Sequence, residues 1–403
     1  MEALFSRCLS IVLLLALSAS LSAQSVPISL DDALYLANKN YPLLKRDCVV
    51  IQQQQILMHA TRQPPRTEVF MTGWQVDPND PMRGIHGVGF EQHVNLGNGR
   101  KAREERQRQR VRLGNALLSL RAIELKQQVG SAYFELLYAK DLRIYYQEKK
   151  ALMEELEQLA QQRLDLGETS KIPVLSASGK AREAQLQRQR AEDTYELAYT
   201  IFNNWLYTDT AYTAAGIGLP GQPAAEEWYV SGGHPELLVE QQEVNLALAE
   251  VEETATERQP QLIFGGQVQM VDEDLPFIGY TLGMSLPLGQ KSVKARIESA
   301  KAEVEKQRLE LEAAGMELER ERRRLLRALE RESESLSYLE EELLPLAEEQ
   351  ITASRKAYSQ GAVGYHDYLI NLEQALDYRL QRLECLRRYH LLRMELEFLS
   401  GRR

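Results

Sequence analysis

The feature that most limits how this chain can fold is that its pattern is written twice in tandem. YPLLKRDCVVIQQQQ from Tyr41 is answered by HPELLVEQQEVNLAL from His234, and VNLGNGRKA from Val94 by LPLGQKSVKA from Leu286. RLDLGETSKIPVL from Arg163 is answered by AYSQGAVGYHDYL from Ala357. The landmark pairs Pro42/Pro235, Gly97/Gly289 and Gly167/Gly361 recur in one order at spacings of 193, 192 and 194 residues. Such a period marks a repeat architecture, and the fold of one half must serve for both. The halves run over 24–208 and 234–403, with a Gly- and Pro-containing connector at 209–233 expected at the waist of the molecule. Ahead of them, 1–23 reads as a secretory signal. A charged start is followed by the apolar run Leu9–Leu17 and small residues up to Ala23, a run too short for a spanning helix.

Each half opens with a helix, over 30–63 and 235–259. The first is entered through Ser29 with Asp32 three residues on as a variant capping box, and both stop at proline, Pro64 with Pro65 and Pro260. Strands follow. After Pro260, Leu262, Phe264, Gly266, Val268 and Met270 alternate with small or polar residues. After a turn at 272–276, Ile278, Tyr280, Leu282, Met284, Leu286 and Leu288 do the same. The first half repeats this in 66–76, with Phe70, Trp74 and Val76 outward, and in 85–94, with Val88, Phe90 and Val94 outward. One greasy face on spans of about 9–11 residues is the requirement of a membrane barrel strand, and Phe264, Val268, Tyr280, Leu282 and Met284 are the candidate lipid-facing residues. Four strands close no barrel, and an open edge in lipid leaves backbone groups unpaired. Three copies supply 12 strands, which makes the chain one protomer of a trimer.

Behind each strand pair lies a helical tract too long for a globule, 100–165 and 291–359, each roughly 100 Å at 1.5 Å per residue. Charged residues make up 26% and aromatics 7%, a composition of long helices. Leu311, Leu318, Leu325, Leu329, Leu336, Leu339, Leu343 and Leu346 trace a coiled-coil seam, interrupted by Pro345, which should bend the helix. The tracts reverse at Gly167 and Gly361 into return helices over 173–206 and 367–399, the second striped by Leu369, Leu372, Leu376, Leu380 and Leu383. The fold class is mainly α with a membrane β-barrel portion: a 12-stranded barrel shared by three chains, four strands each, continued by a coiled-coil helical tunnel.

These residues resemble the TolC family of outer-membrane efflux proteins over essentially the whole mature chain. The resemblance rests on SLDDALYLANKNYPLLKRD, on the HPEL helix start, and on both hairpin turns with their VLSA and YLINLEQAL continuations. It implies a homotrimer in the outer membrane of a Gram-negative bacterium, with its helical end in the periplasm. That end would be docked by a membrane fusion adaptor and an inner-membrane pump of the RND type. Carried over by position, Leu166, Gly167, Glu168, Thr169, Gln360, Gly361, Ala362 and Val363 are the adaptor-docking tips. Asp367 matches an acidic ring and Tyr358 a locking tyrosine of the periplasmic gate. The chain departs from that pattern at Pro173, Val363 and Ile370, where some members have an aspartate, an arginine and a second acidic ring. Asp367 also has a simpler reading, a helix N-terminal charge favoured by the dipole. The last segment, YLINLEQALDYRLQRLECLRRYHLLRMELEFLSG, is similar to the branch serving heavy-metal cation pumps.

Catalytic motifs are absent. There is no phosphate loop, zinc-protease helix, CxxC pair or nucleophile elbow, so neither an enzyme nor a cofactor or metal site is expected. His366 and Glu168 at the turns read as solvated polar residues rather than metal contacts. A net charge of −10 argues against nucleic acid, and RKAREERQRQR and ERERRRLLRALER read as solvated faces with helical charge pairs. Cys48 and Cys385 read as core thiols. The rival architecture is a non-pore periplasmic coiled-coil adaptor or structural protein, which has no need of an outward apolar strand row.

Overall fold

The helix start at Ser29 is built as its spacing predicts: the Ser29 hydroxyl accepts from the Asp32 amide at 3.1 Å and donates to the Asp32 carboxylate at 2.6 Å. This computed structural model describes residues 26–63, 66–74, 78, 84–216, 218–221, 234–271, 276–287 and 290–401. The signal segment, Pro64 and Pro65, Val76, Leu288, Gly289, most of the turn at 272–276 and the connector beyond Gly221 lie outside the described residues. In chain order the elements are β1 (Val26–Ile28), α1 (Leu30–Asn40), α2 (Pro42–Thr61), β2 (Thr67–Trp74), β3 (Ile85–Asn95), α3 (Gly99–Asp165), α4 (Lys171–Leu206), β4 (Tyr212–Ala214), α5 (Pro235–Ala255), β5 (Gln261–Val271), β6 (Phe277–Ser285), α6 (Gln290–Tyr338), α7 (Leu344–Ser359) and α8 (Tyr365–Leu399). The first helix of the chain is therefore two helices. Tyr41 caps α1 at ψ 116°, since a residue before proline is pushed out of the helical region, and Pro42 opens α2.

The chain divides into two compact units, one of 1–42, 122–231 and 319–403, the other of 43–121 and 232–318. Each unit takes segments from both repeats. The second unit holds a four-stranded antiparallel sheet in the order β2-β3-β5-β6. The β3–β5 ladder, from Ile85 opposite Val271 to Asn95 opposite Gln261, joins the two repeats. β2 and β6 are its open edges. Register partners share a face. One face therefore carries the rows Met71, Val88, Val268, Ile278 and Val69, Phe90, Gly266, Tyr280, with Phe264 beside Leu282 and Leu262 beside Met284. The other carries Glu68, Glu91, Gly265, Thr281 and Phe70, Gly89, Gln267, Gly279.

This register corrects the expected outward set of β2. Phe70 and Trp74 lie on the face opposite Val88 and Phe90, and Val69 and Met71 take the apolar face instead. The reason is steric: the Phe70 ring lies over Gly89, where an added Cβ would come within 2.8 Å of it. Near the sheet, α2, α3 and α5 are tied by polar contacts. Gln107, buried, donates to the Gln54 carbonyl at 2.8 Å, Arg106 pairs with Glu253 at 2.9 Å, and Arg121 reaches Asp47. Burial alone would raise the Asp47 pKa, but hydrogen bonds and charge from Arg46 and Arg121 bring it below the usual value. Cys48 is exposed, contrary to its reading as a core thiol, while Cys385 is buried.

The other unit is a helical core with a short parallel pair, β1 with β4, that the sequence did not signal. The described part of the connector is strapped down. Tyr133 donates to the Ala215 carbonyl at 2.8 Å, Asp141 accepts the Leu219 amide at 2.8 Å, and His390 Nε2 meets the Pro220 carbonyl at 2.8 Å. His390 stacks on Phe134 and is buried, which pushes its pKa down; the Pro220 carbonyl opposes that shift only in part. Between α6 and α7 the backbone widens into a π turn, Leu339–Leu343, with the Leu344 amide bonding the Leu339 carbonyl. Pro345 has no N–H to continue the ordinary ladder, and the break in that ladder takes the form of this turn. The extra residue shifts the helix phase. Leu346, expected in the seam, is 59% exposed, and Ala347 at 2% takes its place, followed by Ile351, Ser354 and Tyr358.

Candidate functional site

The two hairpin turns are built alike. Gly167 and Gly361 sit at φ +73° and +74°, the left-handed region that only glycine enters at low cost. The Glu168 amide bonds the Arg163 carbonyl at 2.8 Å and the Gly167 amide that of Leu164 at 2.9 Å. In the second turn the Ala362 amide bonds the Ala357 carbonyl at 2.9 Å and the Gly361 amide that of Tyr358 at 3.1 Å. Both are Schellman closures, which satisfy the last carbonyls of the outgoing helix. They leave Leu166, Gly167, Glu168, Gln360, Gly361 and Ala362 exposed, with Thr169 and Val363 half-buried.

Behind the turns the two hairpins share one core of Met153, Leu156, Ala160, Ala177, Ala181, Tyr358, Tyr368 and Leu372. The small residues Ala177, Ala181 and Ala184 recur at helical spacing on α4, and all three are buried. Tyr358 is 1% exposed and stacks on Tyr368 with ring centroids 5.1 Å apart. Burial raises its pKa, partly opposed by the Arg163 charge and hydrogen bond.

Arg163 was not singled out by the sequence, yet it joins the hairpins. Its guanidinium lies over the Tyr358 ring at 5.0 Å, Nη1 donates to the Tyr358 carbonyl at 3.3 Å, and Nε lies 3.3 Å from the Glu168 carboxylate. The signal available was a cation in the last turn of α3, four residues before the turn glycine. Ala357 holds that place in the second repeat. Higher up, Arg355 pairs with Glu155, Lys180 with Glu373 at 2.8 Å, and Tyr365 bonds Ser176 at 3.2 Å. The Glu373 hydrogen bond raises the Lys180 pKa. The Arg163–Tyr358, Arg355–Glu155, Lys180–Glu373 and Tyr365–Ser176 links each cross from one repeat to the other, while Arg163–Glu168 stays within the first.

Asp367 stands exposed in the first turn of α8, where Gly364 is the N-cap, and its carboxylate folds back towards Gly364. Pro173 occupies the first turn of α4, where no helix hydrogen bond is lost. His366 is exposed, and among the described residues no three His, Cys, Asp or Glu side chains group as metal ligands.

The second candidate surface is the sheet. Tyr280 and Ile278 are each 88% exposed, and Phe264, Val268, Leu282 and Met284 are exposed on the same face. Among the described residues no helix is long and apolar enough to cross a membrane. A cleft of about 660 Å³ in the sheet unit is lined by Asn98, Lys101, Glu104, Glu105, Arg108 and Thr256. Arg108 pairs there with Glu105 at 2.7 Å and with Glu104 at 3.3 Å, while Lys101 makes no ion pair among the described residues, and these charges form no nucleophile–base arrangement.

Residues 231–402 match the model of the outer membrane efflux protein family. No protein of curated function matches the sequence. Among solved structures, CusC, described for conformational changes accompanying folding and transmembrane channel formation, superposes with a TM-score of 0.79 at 14% identity, covering 94% of each chain. The CmeC outer membrane channel of Campylobacter jejuni gives 0.77 at 12% identity, over 92% of this chain and 85% of that one. The open-state MtrE outer membrane channel of Neisseria gonorrhoeae gives 0.73 at 15% identity, over 94% and 93%. Over 92–94% of the chain the fold is that of these TolC-like channels.

Proposed function

We propose that this chain, whose residues 231–402 match the model of the outer membrane efflux protein family, is the passive exit duct of a tripartite efflux system and not an enzyme. Three copies join β6 of one to β2 of the next, so that three four-stranded sheets close a 12-stranded barrel with its apolar face in outer-membrane lipid. The helical end of the trimer stands in the periplasm. The single observation that carries this reading is a sheet with two open edges and a continuous exposed apolar face, Val69 to Tyr280 and Met71 to Ile278. An open edge cannot stand alone in lipid, and in water it invites pairing with another chain. A non-pore periplasmic adaptor would leave both features without purpose.

The tips at Leu166–Thr169 and Gln360–Val363 are the docking surface for a periplasmic membrane fusion adaptor, behind which stands an inner-membrane pump of the RND type. The gate lies just above them. Asp367 supplies a ring of negative charge in the trimer, and Tyr358 anchors the second hairpin beneath the Arg163 clasp. Heavy-metal cations are the proposed cargo, supported by the similarity of the last segment to that branch and by the net charge of −10, which enriches cations in a duct.

The test is to express the full chain in a Gram-negative host and fractionate it. Recovery from the outer membrane as a trimer, cross-linked between cysteines placed at Val69 of one copy and Tyr280 of the next, is expected. A soluble periplasmic monomer without that cross-link would overturn the duct. For cargo, the expected outcome is heightened sensitivity to copper, silver or zinc salts on deleting the gene; unchanged sensitivity would remove metals.

A further inference from the structure

The sheet has two chemically different ends. In the sequence, the segments joining β2 to β3 and β5 to β6 carry Asp77, Asp80, Asp272, Glu273 and Asp274 against a single cation, Arg83; these residues lie outside the described ones. At the other end, where Asn95, Gln261 and Ser285 are in register, the chain passes between sheet and helices four times. Each passage brings a cation. Arg66 precedes β2, Arg100 and Lys101 open α3, Arg258 precedes β5, and Lys291 and Lys294 lie in the first turns of α6. All six are exposed.

Carboxylates in the adjoining turns are already taken by other cations: Glu257 by Arg296 at 2.6 Å, Glu104 by Arg62 at 2.9 Å and Glu253 by Arg106 at 2.9 Å. Among the described residues Arg66, Lys101, Arg258, Lys291 and Lys294 make no ion pair, and Arg100 feels Glu104 only through its charge. Immediately beside them the apolar surface continues in Met284, Leu286 and Leu96, all exposed. An apolar face that ends in a row of unmatched cations has the profile of a surface seated against acyl chains and then phosphates.

We propose that these six cations form a collar that binds the phosphodiester headgroups of anionic phospholipid in the leaflet at this end of the sheet. The proposal rests on the reading that the sheet sits in a bilayer. It adds that the protein selects lipid by charge at one end of the sheet and so fixes its depth and direction there. The repeat supplies the collar twice per chain, and three chains would carry eighteen cations around the barrel. Long basic side chains suit this place because their stems lie on apolar surface while the charge reaches the phosphates.

The experiment uses the full-length protein in nanodiscs of phosphatidylglycerol and phosphatidylethanolamine, with the lipids retained by the trimer after detergent extraction counted by native mass spectrometry. Wild-type protein should enrich phosphatidylglycerol. The variant Arg100→Gln/Lys101→Gln/Lys291→Gln/Lys294→Gln should lower that enrichment at least tenfold, as removal of several cations each worth roughly fivefold near an anionic surface implies. Enrichment should fall with added salt. Inorganic phosphate should lower it no more than chloride at equal ionic strength. A control, Arg323→Gln/Arg324→Gln, removes two paired helical cations outside the sheet unit and should change nothing. Equal enrichment in wild type and the fourfold variant, an equal loss in the control, or displacement by phosphate at matched ionic strength would overturn the collar. Failure of the wild type to enter any bilayer would overturn the duct reading with it; normal insertion without lipid selectivity would overturn the collar alone.

Discussion

The two hairpin tips of one chain share a turn and differ in what stands beneath it. Both close through a left-handed glycine with the same pair of backbone hydrogen bonds. Under the first lie alanines, Ala160, Ala177 and Ala181, and a cation, Arg163; under the second lie two stacked tyrosines, Tyr358 and Tyr368. The two tips share the backbone closure, which has few chemical solutions, and differ in side chains that are complementary partners. The first tip brings the guanidinium, and the second brings the ring and carbonyl that receive it. Two unlike hairpins can be clasped to each other within one chain, which two identical hairpins could not do in this way.

The comparison can be broken most severely at Tyr358. Tyr358→Ala should cost about 3–5 kcal/mol, as large aromatic deletions in cores do. Leu166→Ala at the exposed first tip should stay within about 0.5 kcal/mol. Chemical denaturation of both variants checks this, and equal losses would deny the asymmetry. Arg163→Met should cost about 1–2 kcal/mol for the lost cation–π contact and charged hydrogen bond. Its larger signature should be a raised basal conductance, because the side chain links hairpins rather than filling either. The matching change Ala357→Met, four residues before the other turn, should leave conductance unchanged.

The shared closure is tested by Gly167→Ala and Gly361→Ala. Each should cost about 1 kcal/mol for the left-handed backbone. The two losses should be alike, because nothing lies within 4 Å of a Cβ at Gly167 and only Arg163 Nη2, at 3.6 Å, does so at Gly361. Thermal melts would show it. The smallest effect is expected at Asp367. Asp367→Asn should cost about 0.3–1 kcal/mol of helix-terminal stabilisation, with a clearer change in cation block of the channel. Unchanged block would leave the carboxylate with the helix-terminal role alone.

Much of this was legible in the sequence because it depends on local rules. Gly167 and Gly361 announce reversals by their chemistry, Ser29 and Asp32 announce a cap, and the alternation after Pro260 announces strands. Pro42 breaks the first helix one residue after Tyr41, a rule present in the letters but outweighed there by the long helical pattern. The face of β2 was misread because Phe70 and Trp74 are the largest apolar residues in it. Their direction is set by register against β3, where Gly89 gives Phe70 room. Leu346 was misplaced because a π turn adds one residue to the phase, and Pro345 warned of a disturbance without giving its form. The Arg163 clasp joins residues 195 apart in sequence, and no pattern within one helix encodes such a contact. The same limit hid the β1–β4 pair, whose strands of three residues meet only after the first hairpin has folded back.

The central claim is that three copies of this chain make a duct closed at its helical end by the clasp between unlike tips. The most direct measurement is single-channel conductance of the purified protein in a planar bilayer, wild type beside Arg163→Met. The account predicts discrete insertion of trimers with low wild-type conductance and a severalfold increase in the variant. Insertion with identical conductance in the two proteins would contradict the clasp, and absence of any channel from correctly folded protein would contradict the duct itself.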